Sequence, residues 1–129
     1  MTQEDKQLLL QDLSARLPYK VIVNYNGLAR PLFNISPTQH FQITLDNALD
    51  GEHNGLVYVS LDVDVENPKP YLRPMSSMTE EECDEWAQLE SDEWGTNSID
   101  WLNRKMFDYR GLIEKGLAVA VTKENNPYK

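Results

Sequence analysis

The chain opens on a helical pattern and then changes period. Leu9, Leu10, Leu13 and Leu17 recur at helical spacing, which sets them on one stripe and predicts a helix over Thr2 to Leu17. Thr2 stands at the N-cap, Glu4 and Asp5 complement the dipole in the first turn, and Pro18 stops the run. From Tyr19 to Tyr25 β-branched and aromatic residues take over. Asn26-Gly27 then signals a type I′ hairpin, because both positions accept positive φ. The return strand, Leu28 to Phe33, carries Pro31, which lacks a ladder donor and argues for an edge or a bulge. Ser36-Pro37 breaks the chain.

Period-two patterning returns twice. Phe41, Ile43 and Leu45 alternate with His40, Gln42 and Thr44, so Gln39 to Leu45 reads as a half-buried strand whose polar face meets water. Asp46 to Gly55 is loop-like, rich in Asn, Asp and Gly. Leu56 to Glu66 is the clearest strand: Val57, Val59, Leu61, Val63 and Val65 share one face, and Tyr58, Ser60, Asp62, Asp64 and Glu66 share the other. Slipping it by one residue would bury three carboxylates, which fixes its register.

A proline-stiffened strap, residues 69–79, leads into the second half. Pro70 and Pro74 remove backbone donors and hold the preceding residues extended. Thr79 and Glu82 have capping-box spacing, with Met78 and Cys83 placed to staple the helix start. The spacing predicts a helix over Glu80 to Ser91 with Cys83, Trp86, Ala87 and Trp94 inward. A second helix, capped by Ser98, runs through Arg104 and Lys105, and a third, capped by Asp108, ends before Gly116. Leu117 to Thr122 reads as a last strand, and the tail 123–129 as loose. The expected fold is one α+β domain over residues 1–129: an N-terminal helix, an antiparallel meander or small barrel of about four strands, two or three C-terminal helices and a short final strand.

Composition sharpens the second half. The net charge is −9. No Lys or Arg occurs between Pro74 and Asn103, a stretch holding nine acids, while elsewhere twelve acids balance twelve bases. Such a surface repels phosphate and disfavours direct nucleic-acid contact, and it attracts a basic protein partner. The lone Cys83 excludes an internal disulfide, and Met1 to Asp5 shows neither a basic n-region nor an apolar run, which implies a cytoplasmic chain with no membrane span.

Candidate chemistry is thin. No Walker A, Gly-x-Gly-x-x-Gly or Gly-x-Ser-x-Gly pattern occurs. Cys83 lies among Glu81, Glu82, Asp84 and Glu85, whose charge opposes a thiolate, so a small core residue is the simpler reading. His40, Asp46, Asp50, Glu52 and His53 fit no standard metal spacing. Asp62, Asp64 and Glu66 lack the glycine and terminal acid of a calcium loop. Trp86, Trp94, Trp101, Tyr71 and Tyr109 suit a core better than an exposed patch. Arg73 is placed to pair with the acidic helix that follows it.

Three blocks carry a resemblance: residues 4–18, opening Glu4-Asp-Lys-Gln; residues 69–82, Lys-Pro-Tyr-Leu-Arg-Pro-Met-Ser-Ser-Met-Thr-Glu-Glu-Glu; and Asp100-Trp-Leu-Asn103 with Phe107-Asp-Tyr-Arg-Gly-Leu-Ile-Glu-Lys-Gly-Leu-Ala118. Together they resemble a group of small uncharacterised proteins of gut-bacterial genomes and their phages or other mobile elements. The resemblance implies an accessory protein and brings no catalytic residue or cofactor. The expected role is non-enzymatic binding of a protein partner with a basic surface, through Tyr71, Arg73, Glu80, Glu81, Asp84, Glu85, Glu90, Asp92 and Glu93. A nucleic-acid mimic and an enzyme with an unrecognised site are the alternatives.

Overall fold

In a computed structural model, which describes residues 2–25, 27–36, 42–46, 56–60, 68–90 and 96–128, the N-terminal leucine stripe forms α1 (Gln3–Arg16). Thr2 caps it reciprocally: the Asp5 N–H donates to the Thr2 hydroxyl and the Thr2 N–H to the Asp5 carboxylate. Leu9, Leu10 and Leu13 are buried, and a short 3-10 turn, Leu17–Tyr19, ends the helix at Pro18. Asp12 and Arg16 on the same helix are also fully buried.

The strands are β1 (Ile22–Tyr25), β2 (Leu28–Ser36), β3 (Gln42–Asp46), β4 (Leu56–Ser60), β5 (Lys69–Leu72) and β6 (Val119–Ala120), in the sheet order β4-β3-β2-β1-β5-β6. The architecture is α+β with six strands, against the expected four and a short last one. The extra strand is β5, the first half of the strap. The order is linear, so among the described residues the strands form an open sheet and not a barrel. β1 to β4 make an antiparallel meander, β5 adds antiparallel to β1, and β6 adds parallel to β5.

Tyr25 pairs with Leu28 across the predicted two-residue turn, where Gly27 has φ +77°. Pro31 is not on an edge, since β2 lies between β1 and β3. The register instead slips beside it, with Leu32 opposite Leu45 and Asn34 opposite Thr44, which makes Phe33 the extra residue of a bulge and turns it outward, 59% exposed. Val21, Val23, Leu32, Ile43, Leu45, Val59 and Leu72 pack against the leucines of α1. Each such side chain removed from water contributes about 1.5–3 kcal/mol. Thr44, expected to meet water, is buried: it stands in an inner strand between Asn34 and Tyr58, whose larger side chains flank it. Asp62, Asp64 and Glu66 lie outside the described residues.

Pairing between β1 and β5 covers Val23 with Pro70 and Asn24 with Lys69 and then stops. Beyond it the Tyr128 hydroxyl bridges the strands, accepting from the Ile22 N–H at 3.1 Å and donating to the Tyr71 carbonyl at 2.7 Å. The tail is therefore not loose. Thr122 and Asn125 close a turn that carries the chain back, and Tyr128 packs on the sheet core. Burial pushes its phenol from 10.0 up to about 12.

Two further helices follow, α2 (Glu80–Glu90) and α3 (Thr96–Arg104). Ser98 lies inside α3 and does not cap it. The end of α3 is a Schellman closure in which the Phe107 N–H reaches the Leu102 carbonyl at 2.9 Å and the Met106 N–H reaches Asn103 at 3.1 Å. Met106, not glycine, takes the left-handed position at φ +63°, at a cost of about 1–2 kcal/mol. No helix forms over 108–116. Asp108 does accept from the Leu112 and Ile113 N–H groups and Gly116 does end the segment at φ +74°. Gly111, at φ +77°, interrupts the helical dihedrals between them. Trp101, Leu102 and Phe107 form a second buried cluster beside Met75, Met78, Trp86, Leu89 and Tyr109. Among the described residues no helix is long and apolar enough to cross a membrane.

Candidate interaction surface

Arg73 organises the junction between sheet and helices. Its backbone continues β5: the N–H donates to the Met106 carbonyl at 2.7 Å and its carbonyl accepts from the Asp108 N–H at 2.8 Å. Its guanidinium lies over the Phe107 ring, 4.1 Å from the centroid, and holds both oxygens of Glu82, Nη1 to Oε2 at 2.9 Å and Nη2 to Oε1 at 2.8 Å. The expected internal salt bridge is thus present, in the two-pronged geometry that suits guanidinium and carboxylate. The Thr79 N–H donates to the same Glu82 Oε1 at 3.1 Å, and the Glu82 N–H donates back to the Thr79 hydroxyl at 3.2 Å, so the predicted capping box also forms. The Arg73 hydrogen bonds, foremost, hold the Glu82 carboxyl down from 4.5 to about 2.

Turning Glu82 inward sets the rotation of α2. The half-buried stripe is Glu82, Trp86 and Leu89, not Cys83, Trp86 and Ala87. Cys83 and Ala87 are exposed, so the staple between Met78 and Cys83 does not close; Met78 packs beside Trp101 and Phe107 instead. The signal was in the sequence, since Glu82, Trp86 and Leu89 have helical spacing and Arg73 precedes them with no other base nearby. The opposite face of α2 presents Glu80, Glu81, Cys83, Asp84, Ala87 and Gln88 to solvent.

The predicted surface residues therefore divide. Glu80, Glu81, Asp84 and Glu85 are exposed on α2, and Glu85 also accepts from the Trp101 indole N–H at 3.0 Å. Tyr71 is buried, its hydroxyl accepting from the Asn24 amide at 2.7 Å. Arg73 is committed to Glu82. The Glu90 side chain, Asp92 and Glu93 lie outside the described residues. Of the aromatic set, Trp101 and Tyr71 are buried and Trp86 and Tyr109 half-buried, while Trp94 lies outside the described residues.

His40, Asp50, Glu52 and His53 also lie outside the described residues, which leaves Asp46 alone of that group. Among the described residues no cluster of His, Cys, Asp and Glu is arranged to hold a metal. One polar centre escaped the sequence reading. Asp12 pairs with Arg16 at 2.9 Å and with Arg110 at 2.8 Å, Arg16 donates to the Phe107 carbonyl, and both guanidinium groups lie against the Tyr109 ring. It ties α1 to the 107–110 turn. Comparison with family models, curated proteins and solved structures gives no match.

Proposed function

We propose that the protein is a non-enzymatic binding protein whose outward α2 face docks a protein partner with a basic surface. The observation that carries this reading is the separation of duties on α2. Glu82, Trp86 and Leu89 face inward, and Glu80, Glu81, Asp84 and Glu85 stand exposed on a helix with no base anywhere between Pro74 and Asn103. An acidic ridge fixed on a capped helix attracts a basic surface and accelerates encounter more than it adds affinity. Arg73 supports it from beneath through Glu82, and Tyr71 is buried in the sheet; neither contacts the partner. The resemblance of the three sequence blocks supports an accessory role in a phage or other mobile element of a gut bacterium.

Capture from bacterial lysate with immobilised wild-type protein and a Glu80→Gln/Glu81→Gln/Asp84→Asn variant tests this. The expected result is a partner recovered by the wild type at low salt, reduced at moderate salt, and lost with the variant. Equal recovery by both proteins, or none by either, overturns the proposal. A recovered DNA-binding protein that duplex DNA displaces would identify the ridge as a nucleic-acid mimic.

A further inference from the structure

Beside the acidic helix, beyond the Arg73–Glu82 pair, the structure holds the opposite charge in a cleft. A cavity of about 270 Å³ is lined by Tyr19, Arg73, Arg104, Lys105, Asn126 and Tyr128, with Met106 and Val121. A second, of about 430 Å³, shares Arg73, Val121 and Asn126 with it and adds Ser77, Thr122 and Lys123. The two therefore adjoin, and among the described residues their lining holds four of the chain's twelve bases and no acid, in a chain of net charge −9. The bases arrive from three separate segments: the residue after β5, the end of α3 and the C-terminal turn. Glu82 already balances Arg73 and Lys105 lies over the Trp101 ring, so Arg104 and Lys123, which form no ion pair among the described residues, supply most of the free charge. The α3 terminus does not consume it, because its Leu102 and Asn103 carbonyls are taken by Phe107 and Met106. The left-handed turn at Met106 holds Arg104 and Lys105 at the rim, and Asn126 and Tyr19 supply neutral polar groups beside the Tyr128 ring.

We infer that this cleft binds a small organic anion, a phosphate ester or a dicarboxylate. The larger of the two adjoining cavities, about 430 Å³, is in the range of small-molecule sites, and guanidinium, ammonium and amide donors from different directions suit an oxyanion. Calorimetric titration with inorganic phosphate and, separately, succinate, each at ionic strength matched with sodium chloride, tests it. One or both should bind saturably and raise the melting temperature beyond the chloride control, and which of them does so identifies the anion. Arg104→Gln and Lys123→Gln change exposed side chains and should each weaken binding about tenfold, the loss of one charge-assisted hydrogen bond, while Lys115→Gln, outside the cleft, should leave it unchanged. Overturning results are no saturable binding of either anion, or the same loss in Lys115→Gln as in the cleft variants.

Discussion

At the scale of single residues, two polar side chains, Tyr128 half-buried and Asp12 fully buried, hold distant parts of the chain together. Tyr128 is the clearer. Its folded phenol titrates near 12 against 10.0 for the free side chain, so the fold favours the neutral form by roughly 2–3 kcal/mol. A raised folded pKa contributes stability that is complete below pH 10 and is lost as pH rises through about 12. Tyrosinate absorbance should show one late-titrating phenol coincident with alkaline unfolding, and Tyr128→Phe should flatten that pH dependence. At neutral pH the same variant should cost about 1–3 kcal/mol, because the Ile22 N–H and Tyr71 carbonyl are left without their bridge. Asp12 is the second. Asp12→Ala leaves the buried Arg16 without its carboxylate, and about 3–5 kcal/mol should disappear from the urea unfolding free energy. An Asp and Arg four apart on a helix are readable in sequence as a pair. Their burial was not, because it depends on Phe107 and Arg110, which lie 91 and 98 residues away.

At the scale of elements, local signals were legible and their facing was not. The caps at Thr2 and Thr79, the Asn-Gly hairpin and the alternating strands all come from neighbours within a few residues; the caps and the hairpin pairing formed, and so did the strands over their described parts, Gln42–Asp46 and Leu56–Ser60. The rotation of α2 went the other way because apolarity ranked Cys83 above Glu82, whereas the Arg73 fork draws the carboxylate in. The exposed Cys83 should therefore react with a thiol reagent in native buffer about as fast as in denaturant, which a stopped-flow assay would read. The cap and the fork act on one carboxyl. With its folded pKa lowered, Glu82 contributes stability that is complete above about pH 4.5 and fades as pH falls towards 2. Glu82→Gln should remove that acid dependence, and Thr79→Ala should cost about 1 kcal/mol at neutral pH, both measured by urea denaturation. The missing third helix has an equally local cause: Gly111 in a left-handed conformation interrupts a segment that Asp108 and Gly116 bracket correctly.

At the scale of the whole molecule, the strap proves to be an inner strand. Proline chemistry pointed to a stiff linker, but β5 has β1 on one side and β6 with residues 106–108 on the other. No local pattern announces such a seam, since its partners come from the beginning and the end of the chain. The charge asymmetry was legible, because it is a property of composition along the sequence. The cleft was not, as its bases are spread from Arg73 to Lys123. The seam also governs time. Val23 meets Pro70, Tyr71 meets Val119, and Tyr128 reaches Ile22 across 106 residues, so closing it means ordering loops far longer than those of α1 or the hairpin, and such topologies fold slowly. Contacts that close last raise the unfolding rate when weakened and leave the folding rate nearly unchanged. In a chevron analysis Tyr128→Phe should shift the unfolding arm alone, marking the second tyrosine of the seam as the bolt that is shot after the door has closed.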